Sequence, residues 1–282
     1  MRYLKTTEAA ILLNVSPSTL RVWERRFGFP QPQRSPGGSR SYTHGEVVAL
    51  RAALEGGVSI SSAVSRARAA LAADTDSLVR ALLAYDRERG DRAIETTLAL
   101  RSVERSVEEV LLPSLESIVR RNGADSAAWA FSARWAADWL RRAKRLAPPP
   151  VSRMSVMLGD ASGGELDLDT PYIRALEVFC VRAGVKVLRL SARAVSGIGD
   201  AASVHRPNLV VLAGRSVDDA LVTRWTSAIA RSIGPIPLVL YRPARTGAYD
   251  PVLPPAPGEA LLRVVELADV AAARAMVRQL VA

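Results

Sequence analysis

Between Thr6 and Thr43 the side chains able to do chemistry are cations, spaced as a binding surface. Ser16 reads as a helix N-cap and Pro17 as the first helical residue, since Ser can accept from a first-turn N–H and Pro has none to lose. Leu20 and Trp23 then fall three apart on one face, leaving Thr19, Arg21 and Arg25 to point elsewhere. Downstream, Arg34-Ser-Pro-Gly-Gly-Ser-Arg-Ser-Tyr42 puts a Gly-rich turn between two basic ends, as in a two-stranded wing. A guanidinium can pair with guanine edges or phosphates, and a Gly-Gly tip lets backbone N–H groups approach phosphate. Thr6 starts a preceding helix with Glu8 in its first turn and Ala9, Ala10, Leu12 and Leu13 as apolar positions. With a tight turn at Asn14-Val15, the stretch reads as a helix-turn-helix with a basic second helix.

Sets of residues that would do covalent chemistry are missing. The chain has no Ser-His-Asp set, no Cys-His pair, and no GxGxxG or Walker loop. Gly159-Asp-Ala-Ser-Gly-Gly is Gly-rich without being such a loop. The reading is therefore not an enzyme. Its formal net charge of +10, carried almost wholly by Arg, points to a polyanionic partner. The lone Cys180 excludes an intramolecular disulfide, suits a reducing compartment, and lies in an apolar helical pattern as a core residue. Neither a leader-like apolar run nor a span-length one occurs, so we expect a cytoplasmic, nucleoid-associated protein with no membrane partner.

The elements that position these residues can be read in order. A helix from His44 to about Glu55 ends at Gly56-Gly57, and another runs from Ser59 to about Leu71. Thr75-Asp76 opens a helix broken at Arg89-Gly90-Asp91. Helices follow over 93–100, over 103–122 with a kink or break at Pro113, and over 124–146. Pro148-Pro149-Pro150 is a stiff boundary. Beyond it strands alternate with helices: strands at 154–158, 185–190, 209–213 and 237–241 with a candidate fifth at 262–267, and helices at 171–183, 217–232 and 270–281. That alternation predicts a parallel sheet covered on both faces, with any ligand beyond the strand carboxyl ends. The fold class is multidomain: a winged helix-turn-helix head over 1–72, a four-helix bundle over 74–147, and a flavodoxin-like, Rossmann-like α/β domain over 151–282.

Thr19-Leu-Arg-Val-Trp-Glu-Arg-Arg-Phe-Gly28, followed by Gly37-Gly-Ser-Arg-Ser-Tyr42, resembles the MerR family of winged-helix transcription regulators. The resemblance implies that the second helix enters the major groove while Arg and Tyr of the wing touch the backbone. Ser16, Thr19, Arg21, Val22, Arg25, Arg40 and Tyr42 are the DNA-binding set it points to. It also implies double-stranded DNA with an inverted-repeat operator as partner, a homo-oligomer, and room for a regulatory protein partner.

The three-part layout resembles the cobalamin-binding branch of that family. There the bundle supplies a Trp and a Glu-His pair above the corrin, and a loop His ligates cobalt. Here Ala133-Arg134 stands where the pair is expected and Asp167 where the ligating His is expected. Tyr241-Arg242-Pro243 replaces a Gly-Gly, and Ala213-Gly214-Arg215 replaces a strand-end Ser. Of the two histidines, His44 belongs to the head and His205 precedes the third strand near a strand's amino end. We therefore expect no cofactor, cobalamin included. Ligand-pocket candidates are Trp129, Arg134, Trp135, Asp167, Arg215, Tyr241 and Arg242, with Trp135 and Trp139 sharing a packed face. The acidic loop Asp160, Glu165, Asp167, Asp169 is expected to pair internally with Arg215 and Arg242. The function read from this is a repressor with a degenerate sensor or oligomerisation region. The alternatives are a cobalamin-dependent light-responsive repressor and a regulator of another small molecule.

Overall fold

The computed structural model describes residues 3–34, 40–193, 196–243, 264–267, 273 and 276–277. The Gly-Gly tip and nearly all of the expected closing helix over 270–281 lie outside them. The chain divides into two compact units, Met1–Ser114 and Leu115–Ala282.

In the first unit, β1 (Tyr3–Lys5) runs straight into α1 (Thr6–Leu12), whose start is closed by Lys5 N–H donating to Glu8 at 2.8 Å. Asn14, at φ 53°, turns the chain, and Ser16 opens α2 (Pro17–Phe27) by accepting from Thr19 N–H at 3.0 Å. Gly28, left-handed at φ 60°, ends α2. Strands β2 (Pro32–Arg34) and β3 (Arg40–Thr43) form an antiparallel pair, and β1 adds to the other edge of β3, giving the order β1-β3-β2. Leu4, Leu13, Leu20, Phe29, Tyr42, Val47, Leu50 and Val64 make one core under this sheet, α1, α2 and the two helices that follow.

The helices after α3 (His44–Leu54) differ from expectation in two places. No break separates a head helix from a bundle helix near residue 72: α4 runs unbroken from Ile60 to Leu83. The stretch has no Gly or Pro, and Asp74, which could have capped a new helix, has its carboxylate held by Arg101 Nη1 at 2.6 Å. Nor does Arg89-Gly90-Asp91 break a helix. The turn comes earlier, at Tyr85 with φ 55°, and Asp86 caps α5 (Arg87–Leu100) by accepting from Arg89 N–H at 2.9 Å. Then α6 (Val103–Ser106) passes through one π-helical turn, Val107–Leu111, into α7 (Leu112–Asn122). The irregularity sits just ahead of Pro113, whose missing N–H removes a helical bond. Arg101 and Arg105, both buried, clasp Glu109 of that turn at 3.2 and 2.5 Å.

In the second unit, Ser126 caps α8 (Ala127–Arg145), which lies along α9 (Thr170–Arg182). Five parallel strands follow the order β5-β4-β6-β7-β8: β4 (Ser155–Asp160), β5 (Lys186–Ser191), β6 (Leu209–Ala213), β7 (Leu238–Tyr241) and β8 (Val264–Leu267). This is the strand order of flavodoxin-like sheets, with its reversal between β4 and β6. Helices α10 (Ile198–His205) and α11 (Asp219–Ile233) pack on one face around the fully buried Trp225. Gly159 is required beneath that ring, for a Cβ there would lie 2.6 Å from Leu212 Cδ2 and 3.0 Å from Trp225. Cys180, on α9, is buried, and burial pushes its thiol up to about 12. Among the described residues no helix is long and apolar enough to cross a membrane.

Candidate functional site

Helix α2 sorts its residues by face. Leu20 is buried, and Trp23, Glu24 and Phe27 are half-buried on the same side. Arg21, Val22 and Arg25 are exposed on the other. Among the described residues neither Arg21 nor Arg25 has a hydrogen-bond or ion-pair partner. Val22, 44% exposed between two unpaired guanidiniums, completes a face suited to a groove that offers base edges and phosphates. Ser16 and Thr19 stand at the helix start, where Ser16 Oγ also lies 2.7 Å from Ser18 Oγ and 2.8 Å from Thr19 Oγ1.

Strand β3 brings Arg40 and Tyr42 onto α2 through a residue that sequence reasoning missed. Glu24 accepts from Arg40 Nε at 3.3 Å with one carboxylate oxygen and from the Tyr42 hydroxyl at 3.0 Å with the other. Arg40 keeps about a third of its side-chain surface exposed (34%). Tyr42, expected on the DNA-facing surface, is instead fully buried in the head's core, so it presents no surface to a phosphate. Burial, followed by the bond to Glu24, pushes its hydroxyl up to about 12. Its chemistry is to hold Glu24, which in turn aims Arg40. The signal was available: alternate residues of a strand share a face, so Arg40 and Tyr42 both point toward α2.

The second unit holds the other candidates, and it gathers only some of them. Trp129, on α8, donates its indole N–H to Leu166 O at 2.8 Å. Trp129, Leu166, Asp167, Leu168 and Arg215 border an open cleft of about 560 Å³ between the start of α8 and the β4–α9 loop. Arg134 is not part of it. With Asp138 and Arg141 it lies on the outer stripe of α8, because the positions on both sides of it are buried. Trp135 is 2% exposed and Tyr241 fully buried, so both are packing residues rather than a lining.

The loop carboxylates are mostly spent. Asp167 accepts from Gly163 N–H at 2.7 Å and Asp169 N–H at 2.8 Å, stapling its own loop. Asp169 takes both the backbone N–H of Arg215 (2.7 Å) and its Nε (2.8 Å). Asp160 pairs with Arg189 at 2.8 Å, and Glu165 reaches Arg141 at 3.4 Å. Arg242 donates to Val217 O at 3.0 Å. Lys144 and Arg189 meet on the buried Glu177 at 2.6 and 3.2 Å.

Imidazole nitrogen is absent from this edge of the sheet among the described residues. His205 sits at the opposite, amino end of β4, its Nε2 2.8 Å from Ser155 Oγ and 3.1 Å from Val156 O, and burial lowers its pKa. Among the described residues no group of three or more His, Cys, Asp or Glu is placed to hold a metal ion. The loop at this edge thus offers a carboxylate already bonded twice, and Tyr241 fills the strand end.

Residues 4–63 match the model described as MerR HTH family regulatory protein. The head is a MerR-type helix-turn-helix domain. Two relatives extend this. The HTH-type transcriptional repressor CarA of Myxococcus xanthus is 39% identical over 70 residues, 23% of this chain and 24% of that protein. The HTH-type transcriptional repressor CarH of the same organism is 29% identical over 136 residues, 40% of this chain and 46% of that protein. The chain thus aligns with less than half the length of either repressor. Among solved structures, the methanol:cobalamin methyltransferase complex MtaBC from Methanosarcina barkeri aligns over 73% of this chain and 78% of that one, at 12% identity and a TM-score of 0.34. A score that low does not establish a common fold. The α2 face and its Glu24-held Arg40 both lie inside the stretch that matches the MerR-type model.

Proposed function

We propose that the chain is a sequence-specific DNA-binding transcription regulator, a repressor rather than an enzyme, acting in the cytoplasm at the nucleoid. Helix α2 enters the major groove and reads bases with Arg21, Val22 and Arg25, with Ser16 and Thr19 fixing its start. The β2–β3 hairpin is the wing, and Arg40 contacts a phosphate while Tyr42 positions it from within. The observation that carries this reading is the outer face of α2, where two unpaired guanidiniums flank an exposed Val.

A single head makes few base contacts, so the working form is a dimer or higher oligomer on an inverted-repeat operator. The domains that serve this are the head over 1–72, the helical region over 74–147 and the sheet over 151–282. The C-terminal region acts as sensor or assembly module without cobalamin, a reading supported by Asp167 bonded to its own loop and by His205 at the far end of β4. A regulatory protein partner is compatible with the same region.

Genome-wide mapping of bound sites, compared with transcript changes in a deletion strain, tests the regulator. Enriched sites should contain an inverted repeat, and their genes should rise on deletion. Random, unstructured sites would sink the proposal. An absorbance spectrum of the purified protein tests the sensor, and a corrin band would overturn cobalamin independence.

A further inference from the structure

Beside the open cleft, a second and smaller cavity of about 230 Å³ lies between α7, the start of α8 and α9. Its wall is apolar and aromatic: Leu115, Val119, Trp129, Leu168 and Tyr172. The Trp129 indole N–H donates to Leu166 O, a bond that opposes rotation of the ring into the space. Drug-sized sites run to about 300–1,000 Å³, so the occupant here is smaller.

Two charged side chains border this wall, Glu116 and Arg120, and they do not pair with each other. Glu116 accepts from the Tyr172 hydroxyl at 2.5 Å, through Oε1. Among the described residues no Lys, Arg or His nitrogen lies within 4.0 Å of it. Arg120, one helical turn on, also borders the cavity but stays exposed and unpaired with Glu116. A carboxylate at an apolar wall is stabilised by an opposite charge, and aromatic rings favour cations over anions. In the adjoining cleft, Asp125 and Asp167 add negative charge while Arg215 is occupied by Asp169.

We propose that this cavity binds a small aromatic amine as its cation, the ammonium on Glu116 and the apolar body against Trp129, Val119 and Leu168. This rests on reading the C-terminal region as a sensor and names the chemistry it would sense. The amine is the effector class, and its binding orders α7, α8 and the β4–α9 loop around one molecule.

Calorimetric titration of the full chain tests this with three probes of one shape: tryptamine, tryptophol and indole-3-propionate. Tryptamine should bind at least tenfold more tightly than the other two. Glu116→Gln keeps an acceptor for Tyr172 but removes the charge, and should lose at least tenfold in tryptamine affinity with tryptophol unchanged. Val119→Trp fills the cavity and should abolish binding with Glu116 in place. Indole-3-propionate binding as tightly as tryptamine, no binding by any probe, or full affinity in the Gln variant would overturn the proposal. Gel shifts on the same preparation separate the two ideas. Protein that shifts operator DNA but binds no amine sinks the cavity alone; protein that binds the amine but shifts no DNA sinks the regulator alone.

Discussion

The arginines on the outer face of α2 and those bonded to β4 and the β4–α9 loop are used in opposite ways. On α2, Arg21 and Arg25 stand clear of any carboxylate among the described residues. In the sheet unit, Arg189 and Arg215 each lie within 3 Å of an aspartate. A surface meant for a polyanion must leave its cations unsatisfied, because an arginine already paired would have to give up that pair on binding. A network meant to hold a fold does the reverse. Arg40 falls between, half-exposed and shared with Glu24, as suits a residue that is both aimed and available.

The contrast can be broken most severely in the sheet unit. Trp135→Ala should cost about 3–5 kcal/mol of that unit's stability in chemical denaturation, the usual price of emptying a buried aromatic site. A cost near zero would return Trp135 to the ligand-facing set. Next in size, Arg21→Ala should weaken operator binding by about 1–3 kcal/mol in gel-shift titrations at fixed salt. Arg134→Ala, equally basic but on the outer stripe of α8, should change that affinity by less than about 0.5 kcal/mol. Equal losses from both would mean that net charge alone drives binding.

Tyr42→Phe sharpens the reassignment of that residue. It should lower the head's stability by about 1–2 kcal/mol, since Glu24 loses a donor. The hydroxyl's pKa is raised to about 12, so its contribution is complete below pH 10 and declines as pH climbs from 10 to 12. Wild type should therefore lose stability relative to the Phe variant over that interval. If Tyr42 served only as a phosphate contact, stability would be unchanged and affinity alone would fall.

The smallest effect concerns His205. Burial lowers its pKa, so the folded state disfavours the charged form, while the unfolded chain takes up a proton near pH 6.5. Stability should fall as pH drops below about 6.5, and His205→Gln should flatten that slope in thermal melts. An unaltered slope would mean that this imidazole is not held neutral by its surroundings.

How much was legible followed from how local each signal is. Ser16-Pro17, the Leu20–Trp23 spacing and the apolar strands are short-range patterns, and they placed α2 and the parallel sheet within a residue or two. Gly90 misled because a glycine inside a helix costs only about 1 kcal/mol, less than the packing that keeps α5 intact. The join near residue 72 misled because Thr75-Asp76 resembles a helix opening, whereas a run without Gly or Pro lets α4 continue through it. Tyr42 and Glu24 depended on a helix–strand contact 18 residues apart. The cavity wall draws on α7, α8 and α9 together, and no single segment announces it.

The unbroken α4 has a mechanical corollary. Over its 24 residues every turn is joined to the next, so the helix is a stiff rod of about 36 Å. Asp74, some two-thirds of the way along, is gripped by the Arg101 clasp, while Val64 is embedded in the core shared with α2. Tilting the rod by about five degrees at the clasp displaces its far end by roughly 2 Å, enough to spoil the seating of a helix in a groove. A charge reversal at Asp74 would then be felt by a base pair that it never approaches.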